Sequence, residues 1–301
     1  NLTRFVSAPF TPAAALDMAG IGETAATATR FLDNVYEASH FPLEKQAQTA
    51  RASRRIGLGL TGLADVLAML GITYGSQESL RLAGEVMGTI CHSAYRTSIA
   101  LAREKGAFPA YQADSYLAGE FIYTLPQDIQ DGIRQYGIRN SHLTAIAPTG
   151  TISLLANNIS SGLEPIYDYS FMRRIRQADG RVQAVDVTDY AYDLFGRLHG
   201  KSATLPAAFI RAAEVAPEAH LDMQAVLQVH VDNSISKTIN VPQTCPFDVF
   251  TSLYQSAYAK GLKGCTAFRP NPVTGQVLVS EGSEGGAIES PQCCSIEREA
   301  D

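Results

Sequence analysis

The chain has 301 residues, enough to bury a large core in one large domain or two smaller ones. Apolar residues make up 46% and charged residues 18%, the balance of a globular protein, and a net charge of −6 with no basic stripe argues against broad nucleic-acid binding. No apolar run reaches the ~18–20 residues that span a bilayer, no signal-peptide pattern opens the chain, and five cysteines without disulfide-framework spacing fit reduced, cytoplasmic thiols.

Residues 1–53 read as mainly helical, with Ala28, Phe31, Leu32, Val35 and Tyr36 recurring at helical spacing. Ile56, Leu58 and Leu60 then alternate as in a strand, and residues 62–70 return to helix before Gly71. The spacing predicts a long helix over 77–105, with Ser76 as N-cap and Gly106 as its stop. Its stripe is Leu80, Ala83, Met87, Ile90, Ala94, Ile99 and Leu101, while Gly84 and Gly88 let a second helix pack closely. Pro126 suits the first turn of a helix that Gly137 ends, and a strand follows at 142–147. Residues 166–187 read as extended, with Asp179-Gly180 the natural place for a hairpin turn. Within them Arg173-Arg174-Ile175-Arg176 is the densest positive cluster, either a solvated strand face or a local anion contact. Helical patterns return at 188–199, 206–215 and 218–231, and a strand at 235–241. An amphipathic helix carries Val249, Phe250, Leu253, Tyr254, Ala257 and Tyr258, Gly261 ends it, and a last strand covers 263–269. Strands alternating with helices indicate an α/β fold with parallel strands. From 271 to 301 Gly, Ser, Glu and Pro dominate, the composition of a flexible tail.

The most informative stretch is Ala147-Pro148-Thr149-Gly150-Thr151-Ile152-Ser153, between the 142–147 strand and an apolar pair, Leu154-Leu155. A Gly/Thr/Ser turn that opens a helix aims backbone N–H groups and hydroxyls at one place, where the helix dipole favours an anion. Gly150 lets backbone approach a ligand, and the hydroxyls donate to phosphate oxygens without adding charge. The lysine of a P-loop is absent. An ordinary strand-to-helix turn, capped by Thr and Ser, accounts for the same residues.

Four further blocks surround it. Arg54-Arg55-Ile56-Gly57-Leu58-Gly59-Leu60-Thr61-Gly62-Leu63-Ala64-Asp65 comes first, and Arg139-Asn140-Ser141 leads into the turn. Ser161-Gly162-Leu163-Glu164-Pro165, Ser236-Lys237-Thr238-Ile239-Asn240-Val241-Pro242 and Gly261-Leu262-Lys263-Gly264-Cys265-Thr266 follow, with Phe268-Arg269 after the last. In order and spacing, from about residue 1 to about 270, they resemble the catalytic chain of adenosylcobalamin-dependent (class II) ribonucleotide reductases. The resemblance implies part, the C-terminal half, of that family's ten-stranded α/β barrel, with extra helices over 1–270 and the tail at 271–301. It implies the parent reaction too: the ribose 2′-hydroxyl of a ribonucleotide is replaced by hydrogen. Adenosylcobalamin starts the radical, one cysteine abstracts the 3′-hydrogen, and a dithiol recharged by a thioredoxin-like protein supplies electrons. The turn, Thr149, Gly150, Thr151, Ile152 and Ser153, would hold the substrate phosphates.

The family's radical cysteine, in an Asn-x-Cys-x-Glu-like finger loop, has no counterpart here. The expectation is therefore a part of a longer or split enzyme, inactive alone, that needs the missing barrel half or a partner subunit. Asn140, Ser141 and Glu164 either line the substrate pocket or serve as strand caps and a structural carboxylate. Lys237 either neutralises phosphate or forms a salt bridge at a sheet end. Cys91 and Cys265 read as core, and Cys245 as either a helix-start cap or a thiol acidified by the dipole. Adjacent Cys293 and Cys294 sit where the family carries a C-terminal redox shuttle, although that pair is normally spaced. The six histidines and five cysteines form no metal motif, so no metal is expected. Two other readings stand: a non-catalytic subunit of a split reductase, and an unrelated α/β phosphate-binding enzyme. Exposed strand edges of a half-barrel would also favour homo-oligomers.

Overall fold

The computed structural model describes residues 1–176, 181–241, 244–269 and 278–280, with backbone alone at 173–176, 182 and 278–280. A 3-10 turn (Leu2–Phe5) and an antiparallel ribbon, β1 (Val6–Ser7) with β2 (Ala15–Leu16), precede α1 (Met18–Ala38) and α2 (Glu44–Ser53). Helices α3 (Leu63–Met69), α4 (Gln77–Lys105), α5 (Ala113–Leu117), α6 (Glu120–Tyr123) and α7 (Gln127–Tyr136) follow, then the short α8 (Gly150–Leu155). Strands β3 (Ser170–Arg176) and β4 (Val182–Thr188) lead to α9 (Tyr190–His199), α10 (Pro217–Gln228) and β5 (Thr238–Asn240). The described chain closes with α11 (Phe247–Ala259), β6 (Thr266–Phe268) and β7 (Leu278–Ser280).

Four extended segments lie side by side in chain order and run parallel. Leu58 pairs with Thr144, Ile146 with Ile235, and β5 with β6 in the register Ile239↔Ala267. Parallel neighbours need long crossovers, and the helices between these segments provide them. Gly59 permits the first pairing: a Cβ there would lie 2.1 Å from Ala145 O. The second sheet is antiparallel, β4-β3-β7, with Phe171 opposite Val187 and Ser280. The expected hairpin over 166–187 is thus present, and its turn at Asp179-Gly180 lies outside the described residues. Residues 278–280, within the segment read as a tail, form a strand because β3 offers them a free edge.

The long helix has its expected bounds. Ser76 Oγ accepts from Ser79 N (3.2 Å), and Gly106 at φ +84° takes a conformation closed to L side chains. Val86, Met87, Ala94 and Leu101 are fully buried. Each large apolar side chain so buried stabilises by ~1.5–3 kcal/mol, which makes α4 the spine against which α1, α7 and α10 pack. One reading holds in part and one fails. In α1 the fully buried row is Ile21, Ala25, Thr29 and Asp33; of the apolar stripe, Leu32 and Tyr36 pack against the core while Phe31, 67% exposed, and Val35 do not. Residues 206–215 are not an α-helix: Ala212 N donates to Ile166 O (2.7 Å), and only Ala212–Glu214 coil into a 3-10 turn. Among the described residues no helix is long and apolar enough to cross a membrane.

Candidate functional site

The sequence blocks meet at the carboxyl ends of the first two parallel segments. Thr61 follows the first segment, Thr149 the second, and the 160–162 turn folds back between them. Thr61 Oγ1 lies 3.1 Å from Thr149 Oγ1 and 3.4 Å from Ser153 Oγ, and Ser153 Oγ lies 3.1 Å from Ser161 Oγ. Gly162 N donates to Thr149 Oγ1 (2.8 Å) and to Thr61 Oγ1 (3.3 Å). Four hydroxyls from three separated blocks therefore share one network. In open α/β sheets the carboxyl ends of parallel strands are where ligands bind.

The turn itself is strained. Thr149, just before α8, has φ +53°, a region unfavourable for a β-branched residue. Its hydroxyl does not cap α8; it turns inward to Thr61 and Gly162. Ser153 is buried inside the cluster, whereas Thr151 and Ile152 are exposed. Gly150, Thr151 and Ile152 supply first-turn N–H groups that have no acceptor within the helix.

A second layer supports the turn. Ser160 Oγ accepts from Ala64 N (3.1 Å) and Asp65 N (3.3 Å), capping α3 across the chain, while Asp65 Oδ2 accepts from Ser160 N (2.8 Å). This is a capping box closed between two segments. Asp189 caps α9 by accepting from Tyr192 N (3.0 Å) and couples electrostatically to Asp65, and both carboxyls are buried. Burial, opposed by the bonds from Ser160, pushes Asp65 up to about 6. Burial and the Asp65 charge raise Asp189 well above the usual carboxylate range.

Glu164 forms an ion pair with Lys237, whose side chain is fully buried, and its Oε1 accepts from Thr238 N (2.8 Å). The salt-bridge alternative for Lys237 is therefore the arrangement present, and it ties the 161–165 turn to β5. Burial lowers the Lys237 ammonium, with Glu164 opposing. His220, buried without a hydrogen-bond partner for either ring nitrogen, is pushed down to about 3 by burial and then by Lys237. Asn140 is fully buried: its amide donates to Asp33 Oδ1 (3.1 Å) and Arg54 O (3.0 Å), and its Oδ1 accepts from Ser98 Oγ (3.0 Å). It braces the Arg54–Asp33 pair (2.7 Å) and lines no open surface. Burial raises the Asp33 carboxyl, but Arg54, Asn140 and Arg139 outweigh it and hold it below the usual range. Ser141 is half-buried, with its Oγ 3.2 Å from His142 Nδ1.

Cys91 is buried in the core as expected, and burial, then Asp232, push its thiol up. Cys245 is buried beside Pro246 at the start of α11, and Cys265 is half-buried just before β6. Cys293 and Cys294 lie outside the described residues. Sequence reasoning missed Thr61, Ser161, Asp65 and Asp189 as partners of the turn. The first three stand inside quoted motif blocks, but no spacing rule links Thr61 and Asp65 to the turn across ~90 residues, or Ser161 to it across the intervening loop; Asp189 carried no signal beyond a helix cap.

Comparison with known proteins agrees with this grouping. The family described as "Ribonucleotide reductase, barrel domain" matches residues 1–268. A vitamin B12-dependent ribonucleoside-diphosphate reductase of Mycobacterium tuberculosis (strain CDC 1551 / Oshkosh) is 38% identical over 282 residues, covering 88% of this chain and 38% of that protein. A protein of the same name from Thermoplasma acidophilum is 33% identical, over 89% of this chain and 35% of its own length. A ribonucleoside-diphosphate reductase subunit alpha of Chlamydia pneumoniae is 26% identical over 86% of this chain and 28% of its own. The chain thus spans little more than a third of the first two relatives. With the match running through every motif that builds the hydroxyl cluster, this chain belongs to the ribonucleotide reductase barrel-domain family.

Proposed function

We propose that this chain is the portion of a vitamin B12-dependent ribonucleotide reductase that grips the substrate phosphates. On this reading it forms the C-terminal half of the barrel and takes part in converting ribonucleotides to 2′-deoxyribonucleotides. The carrying observation is the gathering of Thr61, Thr149, Ser153 and Ser161 beside the first-turn N–H groups of α8. Hydroxyls that fix the turn, with first-turn N–H groups as the donors, would hold a phosphate in register, and register is what binding energy contributes to a radical reaction whose reacting atoms must meet. The relatives' names support a ribonucleoside diphosphate as substrate. The parallel segments adjacent in chain order support the half-barrel.

Thr149, Gly150, Thr151 and Ile152 would meet the anion, with Ser153 beneath them. Asn140 and Glu164 would act indirectly, through the Arg54–Asp33 brace and the Lys237 pair. Adenosylcobalamin supplies the radical when bound to the complete enzyme. Two grooves, one on α11 and one between α1, α4 and α10, are lined by no residue of the cluster. Calorimetry with ribonucleoside diphosphates against the bare nucleosides tests the reading. Thr151→Val with Ser153→Ala should weaken diphosphate binding more than about tenfold, the loss expected for hydrogen bonds to a charged group, and leave the thermal midpoint nearly unchanged. Equal affinity in the variant would remove the phosphate turn from the site.

A further inference from the structure

We infer that Thr61 is a positioning residue for the phosphate turn: it holds Thr149 in its left-handed conformation and so presets the N–H groups that would meet the anion. The inference rests on the phosphate reading above and adds a residue to it. Thr61 Oγ1 has four polar neighbours: Ser160 O at 2.9 Å, Thr149 Oγ1 at 3.1 Å, Gly162 N at 3.3 Å and Ser153 Oγ at 3.4 Å. A threonine hydroxyl has one proton and two lone pairs. Facing a carbonyl, the proton goes to Ser160 O. The oxygen is then an acceptor for Gly162 N–H and for the nearer hydroxyl, Thr149, which fills its two lone pairs.

That arrangement bears on the backbone. A β-branched residue at φ +53° persists only where its surroundings over-determine it. The side chain of Thr149 is held by Gly162 N–H (2.8 Å) and Thr61 Oγ1 (3.1 Å), with Ser153 Oγ farther off at 3.5 Å. Gly162 belongs to a turn, while Thr61 follows a parallel segment registered by Leu58 and Thr144. Thr61 is therefore the anchor on the rigid side. Its contribution can be separated from stability, because removing its hydroxyl orphans no backbone group. Ser160 O still accepts from Gly62 N (2.8 Å), and Gly162 N still donates to Thr149 Oγ1 (2.8 Å).

The test is calorimetric titration of the 301-residue chain with inorganic pyrophosphate, repeated with Thr61→Val, Thr61→Ser and Thr61→Ala. Valine keeps the shape and loses the oxygen; serine keeps the oxygen. The expected result is a Kd raised about tenfold in Thr61→Val, the factor an ordinary hydrogen bond carries, and within about twofold of wild type in Thr61→Ser. Thermal midpoints should stay within a few degrees. If Thr61→Val does not fold, Thr61→Ala carries the same expectation. In a Thr149→Gly background, where glycine adopts positive φ freely, the effect of Thr61→Val should shrink to less than about twofold. A wild-type chain that binds pyrophosphate while Thr61→Val binds it equally well overturns the positioning role and leaves the phosphate reading standing. A wild-type chain that does not bind pyrophosphate at millimolar concentration overturns the phosphate reading and this inference with it.

Discussion

Replacing Asp189 with asparagine should make this protein more stable at pH 7, although it removes a helix-capping carboxylate from the core. Asp65 and Asp189 are 0% and 3% exposed, and among the described residues no ion pair includes either. Asp65 Oδ1 accepts from no donor of the surrounding protein, so a hydrogen bond between the two neighbouring carboxyls requires a proton on one of them. Burial raises both carboxyls in the folded state. The unfolded chain therefore gives up these protons first as pH rises. The pair's stabilisation is complete below the unfolded value of 3.8, declines as pH climbs through about 6, where folded Asp65 titrates, and keeps declining as Asp189 resists ionisation above that. From 3.8 to about 6, at 1.36 kcal/mol per pH unit, the Asp65 part alone amounts to about 3 kcal/mol.

In Asp189→Asn the new amide carries a permanent N–H in place of the shared proton. Its oxygen can still accept from Tyr192 N, since asparagine caps helices as well as aspartate. Urea unfolding from pH 4 to 7.5 measures the effect. Asp65 and its burial are common to both proteins, so the difference reports Asp189: wild type should lose stability relative to Asp189→Asn as pH rises from 4 to 6.5, because only wild type holds the Asp189 proton that its unfolded chain gives up. Carboxylates held low, Asp33 among them, add stability that disappears as pH falls, but they are common to both proteins and cancel in the difference. Parallel stability curves for the two proteins would refute the shared proton.

Lys237→Met strands the Glu164 carboxylate in the 161–165 turn. A fully buried pair costs ~3–5 kcal/mol when one partner is lost; with Glu164 24% exposed, about 2 kcal/mol is expected. Adding Glu164→Gln should recover most of that in chemical denaturation, and equal losses in the single and double variants would mean the two charges are not coupled. Gly59→Ala would place a Cβ 2.1 Å from Ala145 O, a backbone atom between paired segments, and should destabilise by about 3 kcal/mol or abolish soluble expression. Gly150→Ala meets nothing within 4 Å and should leave the thermal midpoint unchanged or slightly raised. A Gly59→Ala protein as stable as wild type would contradict the pairing of 56–60 with 143–147.

Local signals carried far in this chain, and their failures share a cause. The α4 boundaries were readable because Ser76 and Gly106 act through bonds within a few residues of the helix. The parallel segments were readable because Ile56, Leu58 and Leu60 alternate. What escaped is polar and long-range. In α1 the stripe was right at Leu32 and Tyr36 and wrong at Phe31, because the buried row runs through Asp33, whose partner Arg54 lies 21 residues away. The 206–215 helix failed for the same reason: a bridge to Ile166 outweighs local helical pattern.

The same physics explains why the site was only half legible. A Thr-Gly-Thr turn announces itself by composition, yet Thr149 directs its hydroxyl to Thr61, 88 residues away, and Ser153 to Thr61 and Ser161. Asn140 and Glu164 stood out as polar residues in motif blocks, and each is satisfied by a buried charge network, through Asp33 and Lys237 respectively. Motif density therefore marks where segments converge, and it does not separate residues that meet a ligand from those that brace them. In this turn the separation follows exposure: Thr151 and Ile152 face outward, while Ser160 and Asp65 are buried around the turn. Substitutions in the exposed pair should change binding before stability, and those in the buried pair stability before binding. Thr61 stands apart from both, because its oxygen can be removed without orphaning a backbone partner.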